Sequence, residues 1–252
     1  MNNFVTDAIN LKSYALSESD KIMVMYSKEK GLIKGVAKGC KKPKSKLGAR
    51  MDLLVANQIM LYKGKNLDTI CEAKSLNTFK NNRQDIDKLL YSTYVTEAVN
   101  HFGVEDDPCS GEIYDLLYKT LEKIANAKDK KEVFIGVIKF QLKIMEISGF
   151  GVELDSCLCC REQILAESMY FSSQMGGVVC EECNGHLGVK IKMHNKLRDF
   201  LLAMLQFDFN FESDYDRKAT EKVCTVCCDL LKDYIQGHST KKFKTTQILQ
   251  EV

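Results

Sequence analysis

Four of the eleven cysteines fall in two short pairs, Cys157-Leu-Cys-Cys160 and Cys180-Glu-Glu-Cys183, with nineteen residues between them. Two residues between cysteines let a tight turn aim both sulfurs inward. Two such turns complete a tetrahedron of thiolates, with zinc–sulfur distances near ~2.3 Å. The spacing predicts one structural Zn2+ held by Cys157, Cys160, Cys180 and Cys183, because four protein thiolates leave no position open for water. Gly176-Gly177, just ahead of the second pair, supplies backbone freedom for a hairpin. Cys159 adds a fifth sulfur, which either replaces Cys160 or stays a free thiol beside the site. His186 and His194 read as surface histidines. A third C-x-x-C, Cys224-Thr-Val-Cys227-Cys228, lies in a helical pattern with no fourth pair to complete another tetrahedron, and reads as small buried apolar residues. Cys40, Cys71 and Cys109 are isolated.

The second constellation is electrostatic. Residues 28–50 hold nine basic side chains, Lys28, Lys30, Lys34, Lys38, Lys41, Lys42, Lys44, Lys46 and Arg50, against the single acid Glu29. Lysines on a strand pair and its loop give a positive surface that follows a phosphate backbone with little sequence preference. A solvated lysine run is the plain alternative, and the density favours nucleic acid over it. The net charge of +2 hides this asymmetry: residues 1–80 carry 15 Lys/Arg against 7 Asp/Glu, while the remainder is net acidic. A polyanion partner is therefore expected for the first part of the chain only. Catalytic motifs are not evident. There is no G-x-x-x-x-G-K-[ST], H-E-x-x-H, G-x-S-x-G or G-x-G-x-x-G, and the four histidines do not cluster, so the reading is not an enzyme.

The elements that must position these groups are legible as patterns. Short β-type runs near 7–16, 21–27, 31–38, 51–62 and 67–76 alternate with turn material, and Ile22, Val24 and Tyr26 share one strand face. Five antiparallel strands in under 80 residues suit a small closed barrel such as an OB-fold, which removes exposed edges. Residues 84–149 read as three helices, the second starting at Asp107-Pro108 and the third, about 131–148, apolar nearly all round and hence buried. Two more helices follow a cysteine- and glycine-rich segment at about 152–190, and the basic tail Lys241-Lys-Phe-Lys-Thr-Thr reads as loose. The expected fold class is α+β and multidomain: a five-stranded OB-like barrel over 1–80 that binds DNA, then a helical domain over 81–252 with an inserted four-cysteine zinc ribbon. The opening residues show no secretory pattern and no stretch is long and apolar enough to span a bilayer, so a reduced, cytoplasmic setting without membrane contact is expected.

This arrangement resembles the RecO family of bacterial recombination mediators. The detailed likeness lies in Leu154-Asp155-Ser156-Cys157-Leu-Cys-Cys160, then Phe171, then Gly176-Gly177-Val-Val-Cys180-Glu-Glu-Cys183. Ala15-Leu16-Ser17-Glu18-Ser19-Asp20 before a strand, and Gly31-Leu32-Ile33-Lys34-Gly35-Val36-Ala37-Lys38-Gly39 before the lysine-rich loop, are also similar. Arg161 stands where the family often has glycine, and Lys244-Thr245 looks like a weaker version of a Lys-Ser motif. The resemblance implies a nucleoid-associated DNA repair and recombination protein that binds single- and double-stranded DNA and anneals complementary strands. It further implies that the protein grips the acidic C-terminal tail of the single-strand-binding protein SSB, pairs with RecR and helps RecA displace SSB. An RNA-binding or transcription-linked zinc-ribbon protein is the alternative from the residues alone.

Overall fold

The computed structural model describes residues 3–189, 191–206, 209 and 213–249. Two compact units divide the chain, one formed by 1–126 with 243–252, the other by 127–242.

In the first unit five strands close a barrel: β1 (Asn3–Ala15), β2 (Lys21–Ser27), β3 (Gly31–Ala37), β4 (Ala56–Tyr62) and β5 (Asp68–Asn77), in the order β1-β2-β3-β5-β4, with β4 returning to β1. Neighbours are antiparallel except β3 and β5, which pair in parallel at Gly35–Asp68 and Val36–Thr69. The five-stranded barrel expected from the alternating runs is therefore present. The wall is tight at this closure. A Cβ on Gly35 would lie 2.9 Å from both Ile70 and Leu61 side chains, so only glycine fits there. The expected fourth strand starts later, at Ala56, because Gly48–Met51 forms a 3-10 turn and Leu54 takes a left-handed φ of 68°. Side chains from all five strands fill the barrel, led by Ala8, Met23, Met25, Ile33, Ile59, Leu61 and Ile70.

Two helices, α1 (Ile86–Phe102) and α2 (Ser110–Asn126), belong to the same unit; α1 lies on β1, and α2 on β1, β2 and β3. Both faces of β2 are consequently covered. Met23 and Met25 point into the barrel, while Val24 and Tyr26 are buried on the other side. The Tyr26 hydroxyl donates to Asp107 Oδ2 at 3.0 Å. Asp85 caps α1, accepting from Lys88 N–H at 2.9 Å. The second helix was expected from Asp107-Pro108 but starts at Ser110; Asp107 Oδ1 instead accepts from Cys109 N–H at 2.8 Å, in a turn before the helix.

The second unit holds α3 (Lys130–Ile147), β6 (Ser168–Ser172), β7 (Gly177–Val179), α4 (Glu181–Leu187), β8 (Ile191–His194), α5 (Asn195–Gln206), α6 (Asp214–Lys218) and α7 (Glu221–His238). The three strands form an antiparallel sheet in the order β7-β6-β8. As its composition implies, α3 is buried on almost every side, packed against α5 and α7. Its one deeply buried charge, Lys139, meets Asp216 Oδ2 at 3.1 Å, with both side chains almost wholly excluded from solvent. Asp216 also accepts from Ser213 N–H and so helps cap α6. Among the described residues no helix is long and apolar enough to cross a membrane.

The chain returns to the first unit at its end. The basic tail is ordered, not loose: Lys244–Leu249 forms a helix, α8, and Phe243 is buried beside Tyr94 and His101, at ring separations of 5.5 and 4.5 Å. The Glu97 carboxylate accepts from the backbone N–H groups of Lys244 and Thr245 and from the Thr245 hydroxyl, at 2.9, 3.0 and 2.6 Å. A carboxylate at these free N–H groups satisfies donors that the helix itself cannot.

Two outcomes follow from these contacts. Asp216→Ala takes the Oδ2 carboxylate away from the buried Lys139 ammonium and is expected to cost about 3–5 kcal/mol in chemical denaturation, most of it recovered by adding Lys139→Met. For Glu97, burial raises the carboxyl, but the bonds from Thr245 and Lys244 outweigh it and hold the group below its ordinary value of 4.5. A lowered folded value means the stabilisation is complete above that ordinary value and fades as pH falls toward the folded one. Hydrogen exchange should therefore show residues 243–249 protected at pH 7 and progressively released as pH falls below the ordinary carboxyl value of 4.5, and Glu97→Gln should weaken protection already at pH 7.

Candidate metal centre and nucleic-acid interface

Each cysteine turn is built by its own backbone. In the first, Cys157 N–H donates to Glu162 O at 2.8 Å and Arg161 N–H donates to Cys157 O at 2.9 Å. Arg161 closes the turn with a φ of 65°, the left-handed region that glycine enters without steric cost. That accounts for glycine being the familiar residue at this point. In the second, Cys180 is the N-cap of α4, its sulfur accepting from Cys183 N–H at 3.5 Å. The two turns are tied together by Leu158 N–H to Val178 O at 3.0 Å, and by Glu153, which pairs with Gly177 and accepts from Val178 N–H. Here too a side chain is excluded: a Cβ on Gly177 would lie 2.3 Å from Glu153 O. Of the strands that carry the turns, Met169, Phe171, Val178 and Val179 are buried, and the Phe171 ring lies 6.3 Å from that of Tyr234.

The result is convergence. The sulfurs of Cys157, Cys160, Cys180 and Cys183 all lie within 4.8 Å of one another, with Cys160 and Cys180 at 4.0 Å. Sulfurs at the corners of a zinc tetrahedron stand about 3.8 Å apart, so this set can hold a metal with little adjustment. The electrostatics point the same way. Burial raises the Cys157 thiol, but backbone N–H groups of Cys180, Cys160 and Cys159 overcome this and bring it down to about 6. The Cys183 thiol is pushed well up, first by the Cys180 sulfur and then by burial. Crowded thiols that suppress one another's ionisation are the situation a thiophilic cation relieves.

Cys159 is exposed and lies outside the set of four, although its N–H donates to Cys157 Sγ at 3.4 Å. His186 and His194 are exposed and belong to no such group among the described residues. Cys224, Cys227 and Cys228 face the interior from α7, fully buried. Burial raises all three thiols, Cys224 to about 11 and Cys228 to about 12. Cys40 is part of the barrel core.

The basic residues belong to the barrel. Lys34 and Lys38 are exposed on and just beyond β3, and Lys41, Lys42, Lys44, Lys46 and Arg50 are exposed on the loop that follows. That loop is anchored. Cys40, Leu47 and Met51 are buried among the barrel side chains, Asp20 Oδ1 accepts from Gly39 N–H at 2.7 Å, and Lys41 Nζ donates to Ser17 O at 2.8 Å. From its sequence the segment Gly39 to Gly48 reads as an exposed, mobile loop; the structure corrects this, because its apolar residues cannot leave without opening the core. Lys28 pairs with Asp115 at 2.9 Å and Lys30 sits over the Phe4 ring at 4.4 Å, so the first two lysines of the run are partly engaged. Sequence reasoning passed over Lys63 and Lys65, isolated lysines in a turn between strands; they line one hollow with Lys30 and Lys34.

A five-stranded OB-type barrel carrying an anchored lysine loop, a helical part and a four-cysteine cluster able to hold a metal together define the architecture. Comparison with known proteins narrows the class. Residues 1–79 match the family model described as Recombination protein O N terminal, and residues 83–247 that described as Recombination protein O C terminal. The chain is 29% identical to the DNA repair protein RecO of Desulforamulus reducens over 252 residues, covering all of this chain and 96% of that one. It is 31% identical to the DNA repair protein RecO of Dehalococcoides mccartyi strain 195 over 77% of this chain and 75% of that one. The value for Gloeobacter violaceus RecO is 32%, over 73% and 70%. The chain belongs to the RecO family of DNA repair proteins.

The four sulfurs yield a direct test. Chelator-washed protein should retain about one metal ion per chain by elemental analysis, as a structural four-thiolate site binds tightly. Cys180→Ser keeps an N-cap oxygen for α4 but removes a ligand, so metal loss and a lower melting temperature are expected from coordination alone. Cys224→Ala with Cys227→Ala should leave the metal content unchanged.

Proposed function

We propose that this chain is a recombination mediator of DNA repair. In this reading it binds single- and double-stranded DNA through Lys28, Lys30, Lys34, Lys38, Lys41, Lys42, Lys44, Lys46 and Arg50, anneals complementary strands, and with RecR helps RecA replace SSB. Residues 1–80 act as the DNA-binding domain and 81–252 carry partner contacts and the ribbon, in the bacterial cytoplasm. The observation that carries the reading is the anchored loop: apolar residues buried in the barrel hold exposed lysines at fixed places, in a chain of a DNA-repair family. Two strands repel through their phosphates, so a surface that neutralises both lowers the barrier to their encounter. No bond is made or broken, and no nucleotide need be hydrolysed.

The cysteine cluster is read as a zinc site of structural kind. When bound, the ion is closed off by four thiolates and supplies folding free energy to the second unit. For the acidic tail of SSB, the second unit offers a hollow of about 400 Å³ lined by Phe200, Tyr215, Ala219 and Val223 together with two lysines, Lys196 and Lys218, against one acid, Asp199. Apolar walls beside ammonium groups suit a peptide that is acidic and ends in apolar residues.

A fluorescence annealing assay on SSB-coated complementary strands tests the reading. The wild type should accelerate annealing without ATP, and removing the SSB tail should abolish that acceleration while sparing bare strands. Exchanging Lys41, Lys42, Lys44 and Lys46 for glutamine should slow annealing on both and flatten the salt dependence of DNA binding by about 0.7–0.9 per lost contact. Absence of acceleration by the wild type on either substrate overturns the mediator reading; an unchanged salt slope in the quadruple variant moves the DNA elsewhere.

A further inference from the structure

We propose that the barrel mouth seats one unpaired nucleotide of a DNA strand, its base against Phe4 and its adjoining phosphates on Lys34, Lys63 and Lys65. This rests on the DNA-binding reading above and adds a subsite to it, since Lys63, Lys65 and Phe4 lie outside the lysine run of residues 28–50.

The hollow measures about 530 Å³, within the range of about 300–1,000 Å³ typical of small-ligand sites. Its walls come from separate segments: Phe4 on β1, Lys30 in the β2–β3 turn, Leu32, Ile33 and Lys34 on β3, Lys63–Asp68 between β4 and β5, and Glu105-Asp106 ahead of α2. Phe4 is partly buried against the barrel core, which fixes its ring, and that ring already receives a cation, Lys30 Nζ at 4.4 Å from its centre. A ring face that receives a cation is equally a platform for a base, which on seating takes the place of the Lys30 ammonium there.

The lysine rim is preformed. Gly64 N–H donates to Asp68 Oδ1 at 3.1 Å, and a Cβ on Gly64 would lie 2.0 Å from Leu67 O, so the turn carrying Lys63 and Lys65 is closely folded on itself. Lys34, Lys63 and Lys65 are all exposed. The exposed carboxylates Glu105 and Asp106 line the same hollow; they repel phosphate and accept hydrogen bonds from exocyclic amines of a base. Charge therefore orients the ligand, backbone to the lysines and base edge to the acids. Lys38 follows Lys34 by four residues, about 13 Å at strand spacing and just beyond the end of β3, and leads on to the loop, so the ligand extends as a polymer rather than ending as a free nucleotide. A base inside a duplex has both faces covered. Only an unstacked one can lie on Phe4.

The test uses the full chain and fluorescence anisotropy with two single strands of equal length and charge, one bearing all its bases and one with abasic sugars at its centre. The wild type should bind the first about tenfold more tightly. Phe4→Leu, which keeps an apolar side chain against the core, should bring that ratio close to one. Should Phe4→Leu not fold, Lys63→Gln with Lys65→Gln, in an exposed turn, should weaken binding to the base-bearing strand and flatten its salt slope by about 0.7 per lysine. A wild-type ratio near one, a ratio kept by folded Phe4→Leu, or an unchanged salt slope in the lysine pair each overturns the subsite while leaving DNA binding standing. Failure of the wild type to bind either strand overturns the DNA-binding reading itself.

Discussion

A small β-barrel must be filled by its own side chains, and five short strands do not supply enough of them. Here the deficit is met by the segment after β3. Cys40, Leu47 and Met51 enter the same core as Met23, Met25, Ile59 and Leu61. Everything cationic between those anchors is thereby turned outward, since lysine cannot follow them into an apolar interior. The hydrophobic effect thus arranges the charge. Lysines so displayed lose less conformational freedom on meeting a polyanion than lysines on a free loop would, and that saving favours binding.

The ribbon solves the opposite problem, holding polar, ionisable sulfurs together. Its backbone does most of the aiming. N–H groups of Cys159 and Cys180 point at Cys157 Sγ, and that of Cys183 points at Cys180 Sγ. Arg161 shows where the geometry is stretched, a residue with a Cβ held at a φ that costs most residues about 1–2 kcal/mol. Cohesion of the two turns through Val178 and Glu153 is what keeps that strain in place.

The parts of this architecture that were legible in the sequence are those encoded locally. Two residues between cysteines define a turn wherever it sits, and strand alternation and helix periodicity need only a window of neighbours. What was not legible depends on distant partners. The tail around Phe243 looks polar and loose because its anchor, Glu97, lies on α1 and carries no local trace. The lysine loop looks mobile because its three apolar anchors, Cys40, Leu47 and Met51, form no period, yet each finds the barrel. Lys28 counted as a free positive charge until Asp115, far along the chain, was placed beside it. α6 is five residues long, too short for periodicity, and its capping box at Ser213 and Asp216 is its only sequence trace. Lys63 and Lys65 gain meaning only when the barrel brings their turn beside Lys30 and Lys34.

The docking of α8 on α1 has a consequence for how the protein comes into being. The first compact unit is discontinuous: its barrel and two helices are made before the second unit, but residues 243–249, which cover Tyr94 and occupy Glu97, are made after it. Domains begin folding in the order in which they leave the ribosome. During synthesis of the whole second unit the barrel unit must therefore wait with Tyr94 and His101 uncovered and a carboxylate lacking its helix. Completion of the first-made part waits until the second unit has been synthesised, so a chain cut short anywhere in the ribbon or α7 leaves both halves defective, not one.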